Sequence, residues 1–555
     1  YINSLVLLLI FFPFNLRLKE WYQKLVDFAF LIVNIPFIIL NNIDIEFFQY
    51  NQKRITSDFV DLLLLGNDTA QVLPSYILTY WPILLLTLFQ VYILVKYSNF
   101  EPKSVISNFK SFSNSLLIFL ISVLFFVVGA RGGLQLKPIN TINAGELSNP
   151  IFSNLILNTP FTFLHSFKSE KLFPYNYFSD EELNNTISLN RNYPSEKQKK
   201  YNVVIIIMES LSKEFVGFHN NHDLTPFLDS LMNHSLVFTN AYSNGLRSIE
   251  ALPAITASIP TLSNTPFISS VYAQNKFNSL PSVLSKKGYS TSFFHGGTRG
   301  TMGFYGFAKK AGFQKYFGLE EYDNKADYDG TWGVYDEPFF NYFADKIKAE
   351  TKPFFTTFFS LSAHPPYNIP NKYDTIFKEG DLEIHKLISY SDYSLKVFFE
   401  NIKDEGWFDN TLFVITADHT SPKSSDELYK NKIGRYSIPM FFYTPNGELK
   451  GINDVVTQHI DIMPSILDYL GYDMPFISFG ESVFRKKSWA IHYNNNRYCL
   501  ITKNGYLNNR EEKYSTFSDW SLRKRIDNIE EDVILLKSFK QLYSKNMTIN
   551  NLIIN

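Results

Sequence analysis

Four short apolar runs in this 555-residue chain each stop at a side chain able to bind a cation or carry a proton. Val203–Ile207 leads to Glu209, Ser290–Phe294 to His295, Phe354–Leu361 to His364, and Leu412–Thr416 to the pair Asp418-His419. Glu209, Asp418 and His419 together make a mixed oxygen and nitrogen donor set, which suits Mg2+, Mn2+ or Zn2+. A cation there would lower the pKa of a nucleophile and offset phosphoryl charge. Each residue alone is weak, since a Glu after a strand commonly caps a helix. The coincidence of all four runs is what argues for a site. A candidate nucleophile, Ser248, lies in Ser243-Asn244-Gly245-Leu246-Arg247-Ser248-Ile249-Glu250. Asn-Gly marks a tight turn, and Ser248 is then placed to open a helix whose free N–H groups favour an anion. On spacing alone, Ser248 reads as a cap before it reads as a nucleophile.

The elements that would position these residues follow from the pattern around them. Uninterrupted apolar runs of this length suit strands covered on both faces. Helical patterns separate them at Thr225–Met232, Leu280–Lys287, Pro338–Lys348 and Ile384–Asn401. Alternating strands and helices predict an α/β domain with a mostly parallel sheet over residues 201–487. Ligands collect at the carboxyl edge of such sheets, where the four runs end. Residues 488–555 read as a few strands and a helix near Asp532–Tyr543, a small α+β addition.

The first quarter is different. Residues 1–135 hold only 17 charged side chains. Charge-free stretches cover Tyr1–Leu16, Phe28–Ile43, Thr69–Val95 and Ser111–Ala130, and the last two suffice to cross a bilayer as helices of ~20 residues. We expect residues 1–131 to be a bundle of transmembrane helices, truncated at its start because the chain opens on Tyr1. The segments with Arg17, Lys19 and Lys24 and with Lys96, Lys103 and Lys110 belong on the cytoplasmic side. The loop between spans two and three has Lys53 and Arg54 against five acids, and everything after Arg131 is expected outside the cytoplasm. Residues 132–200, rich in Asn, Ser, Pro and Lys, read as a connector with short helices near Glu181-Glu182-Leu183.

The strings VVIIIMES, NGLRSIEALPAITAS and ITADHTSP, with the multi-span N-terminus, resemble the lipoteichoic acid synthase family of membrane phosphoglycerol transferases, sulfatase-like members of the alkaline phosphatase superfamily. The likeness runs from Tyr201 to about Val483 and takes in Gln458–Ser465 and Gly480-Glu481-Ser482. The family's five-helix anchor would fit one lost span. The resemblance implies Glu209, Ser248, Asp418 and His419 as ligands of one divalent cation, with Mn2+ ahead of Mg2+ or Zn2+. It implies Ser248 as nucleophile, where the family usually has threonine, and His295 and His364 as substrate-side histidines. Met302 and Phe304 stand where the synthases carry a Trp and an Arg that hold glycerophosphate. Arg299 is the neighbouring cation that could replace that guanidinium.

The implied reaction moves a phosphoglycerol group from a phospholipid, phosphatidylglycerol first, to a glycan or lipid-linked hydroxyl at the outer face of the cell membrane, through a phospho-serine intermediate. A phosphoethanolamine transferase, a phosphodiesterase or sulfatase-type hydrolase, and a binding protein with a degenerate site are the alternatives. A formylglycine sulfatase does not fit Ser248-Ile249-Glu250-Ala251-Leu252. Trp332, in a Gly-flanked loop, is a candidate groove residue.

Plainer readings cover the rest. A net charge of −1 excludes a nucleic-acid binder driven by a large basic surface. The single Cys499 excludes a disulfide framework and is expected as a small buried side chain on a strand. His219, His222 and His234 read as surface or packing residues, and His459 as structural. Phe339-Phe340 and Phe441-Phe442 read as core, and Arg523-Lys524-Arg525 as solvated surface.

Overall fold

The computed structural model describes residues 3–12, 19–51, 54–57, 80–98, 112–135, 138–147, 152–167, 170–195, 198–220, 223–351, 353–377, 379–485 and 488–554. The chain forms two compact units, Tyr1–Ala144 with Ile151–Ser169, and Gly145–Pro150 with Glu170–Asn555.

The first unit is helical. Its longest element, α1 (Glu20–Asn51), carries a 30-residue stretch, Glu20–Gln49, long and apolar enough to cross a membrane. Shorter apolar helices cover Trp81–Tyr97 and Leu116–Arg131. The second expected span, short on its charge-free stretch alone, reaches spanning length here: α1 runs past Phe28–Ile43 at both ends and takes in Trp21 and Tyr22. Some of the flanking charges are paired. Lys24 bonds Glu20 one turn away, and buried Asp44 accepts from Arg54 at 2.7 Å, the Ile55 N–H and the Thr159 hydroxyl. Of the first expected span, Ser4–Ile10 is helical. Most of the loop-charge argument, with Arg17, Lys53, Lys103 and Lys110, and residues 69–79 of the third span lie outside the described residues, as does His222.

The second unit is built on an eight-stranded sheet among the described residues. In chain order its strands are β1 (Asn202–Met208), β2 (Leu236–Phe238), β3 (Ser290–His295), β4 (Lys315–Phe317), β5 (Phe354–Phe359), β6 (Thr411–Ala417), β7 (Met440–Tyr443) and β8 (Gly451–Asn453). Their spatial order is β8-β2-β7-β6-β1-β5-β3-β4. All pairs are parallel except those of β7, which runs against both neighbours, so the sheet is mixed. The four apolar runs are β1, β3, β5 and β6. The short strands β2, β4, β7 and β8 were not anticipated, since three or four residues carry too little periodicity.

Both faces of the sheet are covered. Phe358 and Phe359 are neighbours on β5 and so point to opposite sides. Phe358 stacks on Phe340 at 3.9 Å and meets Phe343, both on α3 (Asp336–Lys348); Phe359 meets Phe304. Helix α3 packs in turn on α4 (Ile384–Ile402), where Phe398 faces Phe340 and Phe343. Phe358→Ala is therefore expected to cost about 3–5 kcal/mol, the range for emptying an aromatic site in a close-packed core. A denaturant titration followed by near-UV circular dichroism measures it.

The tail is a five-stranded antiparallel meander, β9 (Trp489–Asn494), β10 (Arg497–Thr502), β11 (Gly505–Arg510), β12 (Lys513–Phe517) and β13 (Arg525–Ile526), followed by α5 (Glu530–Thr548). Cys499 is buried on β10 as expected. The helix expected near Glu181 is Asp180–Thr186, opened by a Ser179/Glu182 capping box.

Candidate metal and nucleophile site

Register brings the first ligands together. Strands β1 and β6 are adjacent and parallel, with Met208 opposite Ala417. The next residues, Glu209 and Asp418, therefore leave the sheet side by side, about 4.8 Å apart in backbone spacing. Both side chains are almost wholly buried. Asp418 Oδ1 accepts from the Ser210 N–H at 2.8 Å and the His419 N–H at 2.7 Å, while Oδ2 has no hydrogen-bond donor. Glu209 is fixed from the other side, its N–H donating to Ser360 Oγ beyond β5. Ser210, at φ 54°, donates its hydroxyl to Glu209 Oε1 at 2.7 Å. That left-handed backbone lets one serine hold both carboxylates.

Ser248 is the first residue of α2 (Ser248–Ala257), preceded by an extended Arg247. Glu250 builds the entry, accepting from the N–H groups of Leu246 and Arg247 and from the Arg247 guanidinium. Gly245 is needed there because a Cβ would lie 2.4 Å from Glu250 Oε2. Asn244 ties the turn to the Ile460 N–H and Gln458. The result places Ser248 Oγ 3.3 Å from Glu209 Oε2 and 3.3 Å from His419 Nε2.

The donor atoms of Glu209, Asp418 and His419 lie within 4.8 Å of one another. His419 Nδ1 is 2.8 Å from the Thr420 carbonyl, so it carries the proton and turns the Nε2 lone pair toward the two carboxylates. His419 Nε2 is 3.2 Å from Asp418 Oδ2 and 3.7 Å from Glu209 Oε1. Burial first, and the Asp418 carboxylate second, push the Glu209 carboxyl well above its ordinary range. Two buried carboxylates, an oxygen without a donor and an unprotonated nitrogen converging on one point fit a divalent cation, with Ser248 Oγ as a further ligand. His459 stands behind the site, its Nε2 at 2.8 Å from the Ala417 carbonyl, in the structural role expected of it.

The remaining sequence candidates lie around this cluster. His295 ends β3, two strands from β1, so roughly 10 Å of sheet separates it from Glu209. It is buried between Phe304 and Phe359, and burial pushes it down to about 3, so its ring is neutral at neutral pH. His364 follows β5 on a half-exposed loop, 4.1 Å from the Trp332 ring, and Trp332 Nε1 donates to the Pro365 carbonyl at 2.6 Å. The Trp332 loop reaches this edge because Gly333 lies against Gly296, where a Cβ would meet the Gly296 carbonyl at 2.3 Å. Arg299 is exposed; its guanidinium pairs with Glu321 and lies 5.0 Å over Tyr305, which commits its charge away from a phosphate. Met302 and Phe304 leave the neighbouring positions without a guanidinium. Reading the sequence missed the supporting roles of Ser210, Ser360 and Asn244; only the Asn-Gly turn carried a signal.

The sulfatase family profile matches residues 201–472. That stretch of the chain is similar to sulfatases. The resemblance to lipoteichoic acid synthases holds in the comparison with curated relatives. Lipoteichoic acid synthase 2 of Bacillus subtilis (strain 168) is 25% identical over 405 residues, 67% of this chain and 60% of that protein. Lipoteichoic acid synthase of Staphylococcus aureus (strain NCTC 8325 / PS 47) is 24% identical over 427 residues, 67% of this chain and 66% of that one. The chain thus spans between about half and two thirds of the relatives it matches. Two solved structures share the fold. A protein in the alkaline phosphatase superfamily from Vibrio parahaemolyticus aligns with a TM-score of 0.62 at 24% identity, over 69% of this chain and 99% of that one. The lipoteichoic acid synthase LtaP from Listeria monocytogenes aligns with 0.55 at 21%, over 64% and 94%. The α/β domain predicted from the four runs is present, with a mixed sheet in place of a mostly parallel one.

Proposed function

We propose that this protein is a membrane-anchored phosphoglycerol transferase that uses Ser248 as its nucleophile and works outside the cytoplasm. The observation that carries the reading is the convergence of Ser248 Oγ, Glu209, Asp418 and His419 at the carboxyl edge of β1 and β6. The named relatives, lipoteichoic acid synthases, support the substrate class.

Glu209, Asp418, His419 and Ser248 would hold one divalent cation, with Mn2+ favoured; when bound it offsets the two carboxylates and lowers the pKa of the serine hydroxyl. The chain's own residues do the rest. Ser248 Oγ, held at the opening of α2, gives its proton up to solvent and attacks the phosphorus of phosphatidylglycerol. The bond from phosphorus to the diacylglycerol oxygen breaks, and that oxygen leaves with a proton. His364, on its half-exposed loop beside Trp332, is the group suited to give that proton. His295, neutral and buried, orients the phosphoryl group instead. A glycan or lipid-linked hydroxyl then attacks the phosphoglyceryl-serine, the bond to Ser248 breaks, and the serine regains its proton. The apolar helix α1 keeps the domain at a membrane, where a phospholipid phosphate is within reach.

The test uses the full chain in mixed micelles with Mn2+ and radiolabelled phospholipid. Phosphatidylglycerol is expected to yield diacylglycerol, and phosphatidylethanolamine none. Turnover of phosphatidylethanolamine alone would move the assignment to the phosphoethanolamine transferases. Free glycerol phosphate as the sole water-soluble product, even with a glycolipid acceptor supplied, would make the protein a phosphodiesterase.

A further inference from the structure

The tail sheet closes a second, strongly basic cavity of about 320 Å3. Strands β9 and β10 are joined at Asn495-Asn496, both with positive φ, 49° and 60°, the tight turn that suits a two-residue hairpin. This turn sets Asn494 opposite Arg497 and His492 opposite Cys499, and Cys499 opposite Asn508 on β11. Alternation then gathers His492, Arg497 and Arg510 on one face of the meander. That face meets Tyr436 and the segment bearing Lys432 and Arg435.

Four cations, Lys432, Arg435, Arg497 and Arg510, line the cavity, and no carboxylate does. Arg510 reaches Glu511 at 3.8 Å, while the other three form no ion pair among the described residues. On the cavity wall, His492 is 1% exposed and stacks on Tyr436 at 3.8 Å. Its Nδ1 is buried without a hydrogen-bond partner. Burial and the Arg435 charge push His492 down to about 3, so its ring is neutral and Nδ1 can carry a donor proton. Clustered cations repel, and a buried nitrogen without a partner costs free energy. A bound anion relieves the repulsion, and guanidinium groups favour phosphate oxygens. Arg435 also lines the adjoining cleft of about 340 Å3, whose other walls include His419, Thr420 and Ser421. The basic cavity and a proposed metal ligand thus share a boundary residue.

We infer that the cavity lined by Lys432, Arg435, Arg497, Arg510 and His492 is a second anion site, which holds a phosphate ester of the acceptor while its hydroxyl reaches Ser248. The acceptor assignment rests on the transferase reading; anion binding does not. The donor's phosphate belongs at Ser248, so a phosphate held beyond Arg435 is carried by the other substrate.

Calorimetric titration of the full chain in detergent, with excess chelator to silence the Ser248 site, tests this. The probes are glycerophosphoglycerol, a diester, and inorganic phosphate. Binding is expected in the parent and equally in Ser248→Ala. It should weaken about tenfold or more in Lys432→Gln/Arg497→Gln, and also in Arg510→Gln, as charge-assisted contacts are lost. Tighter binding of the diester assigns the site to a polymeric acceptor, and tighter binding of inorganic phosphate to a terminal monoester. Equal affinity in parent and both variants, or no binding at all, overturns the inference. Because Lys432 and Arg510 are exposed and Arg497 is half-buried, the variants are expected to fold. If Ser248→Ala keeps full turnover, the transferase reading fails while this titration still stands or falls alone.

Discussion

Ser248→Ala is expected to lower diacylglycerol release by at least about 10^4-fold, with the fold intact. The magnitude follows from the role. A nucleophile that forms the covalent intermediate has no substitute in its place, and the remaining site residues then have no attacking oxygen to act on. Ser210 is the closest rival, because its hydroxyl also touches Glu209. It differs in placement: Ser210 donates its N–H to Asp418 and its hydroxyl to Glu209, whereas Ser248 stands at the opening of α2 within 3.3 Å of both Glu209 and His419. Ser210→Ala should therefore weaken cation binding and slow turnover by a lesser factor, while still forming the phosphoglyceryl-enzyme. Mass spectrometry of the enzyme trapped with phosphatidylglycerol reads the difference. A covalent adduct persisting in Ser248→Ala would remove Ser248 from the chemistry.

Asp418→Asn is expected to act in opposite directions on function and stability. Metal affinity should fall at least about a hundredfold, beyond the loss seen when only a supporting partner of a ligand is removed. Turnover falls with it. Without metal, the same change should stabilise the fold by ~1–2 kcal/mol at a pH where Glu209 is ionised, the scale of one close charge pair near a protein surface or interior. The Asn carbonyl keeps the bonds from the Ser210 and His419 N–H groups, and its amide places a donor where Oδ2 now faces Glu209 and His419 Nε2 without one. The pH dependence has a definite sign. Glu209 titrates higher folded than unfolded, so the metal-free parent loses stability as pH rises through that window. The advantage of Asp418→Asn should thus shrink as pH falls and Glu209 takes up its proton. Thermal scans in chelator across pH measure it. A metal-free variant less stable than the parent at every pH would mean that the two carboxylates do not repel.

What the sequence disclosed and withheld has physical reasons. Glu209, Asp418 and His419 were legible because a strand buried on both faces is a continuous apolar run, and its end is visible. Their proximity was not, since it depends on the register of Met208 with Ala417, set by pairing 209 residues apart. Ser248 was legible as a helix opener, which it is, but its approach to Glu209 depends on the Glu250 entry turn. Ser210 and Ser360 gained their roles only from tertiary contacts. Arg299 looked like a free cation until Glu321, twenty-two positions on, came to face it. The basic cavity was invisible because its cations are spread from Lys432 to Arg510, while the contiguous cluster Arg523-Lys524-Arg525 is exposed surface. Helix α1 outran its apolar core at its C-terminal end, where Asp44 pairs with Arg54 ten positions on, a contact that composition does not show.

The central claim is that one divalent cation sits among Glu209, Ser248, Asp418 and His419. A crystal grown with Mn2+ and measured at the manganese edge addresses it directly. The account predicts one anomalous peak within bonding distance of Glu209, Asp418 and His419 Nε2, and its loss in Asp418→Asn. A peak bound elsewhere, or a bound cation that leaves these side chains untouched, would contradict it.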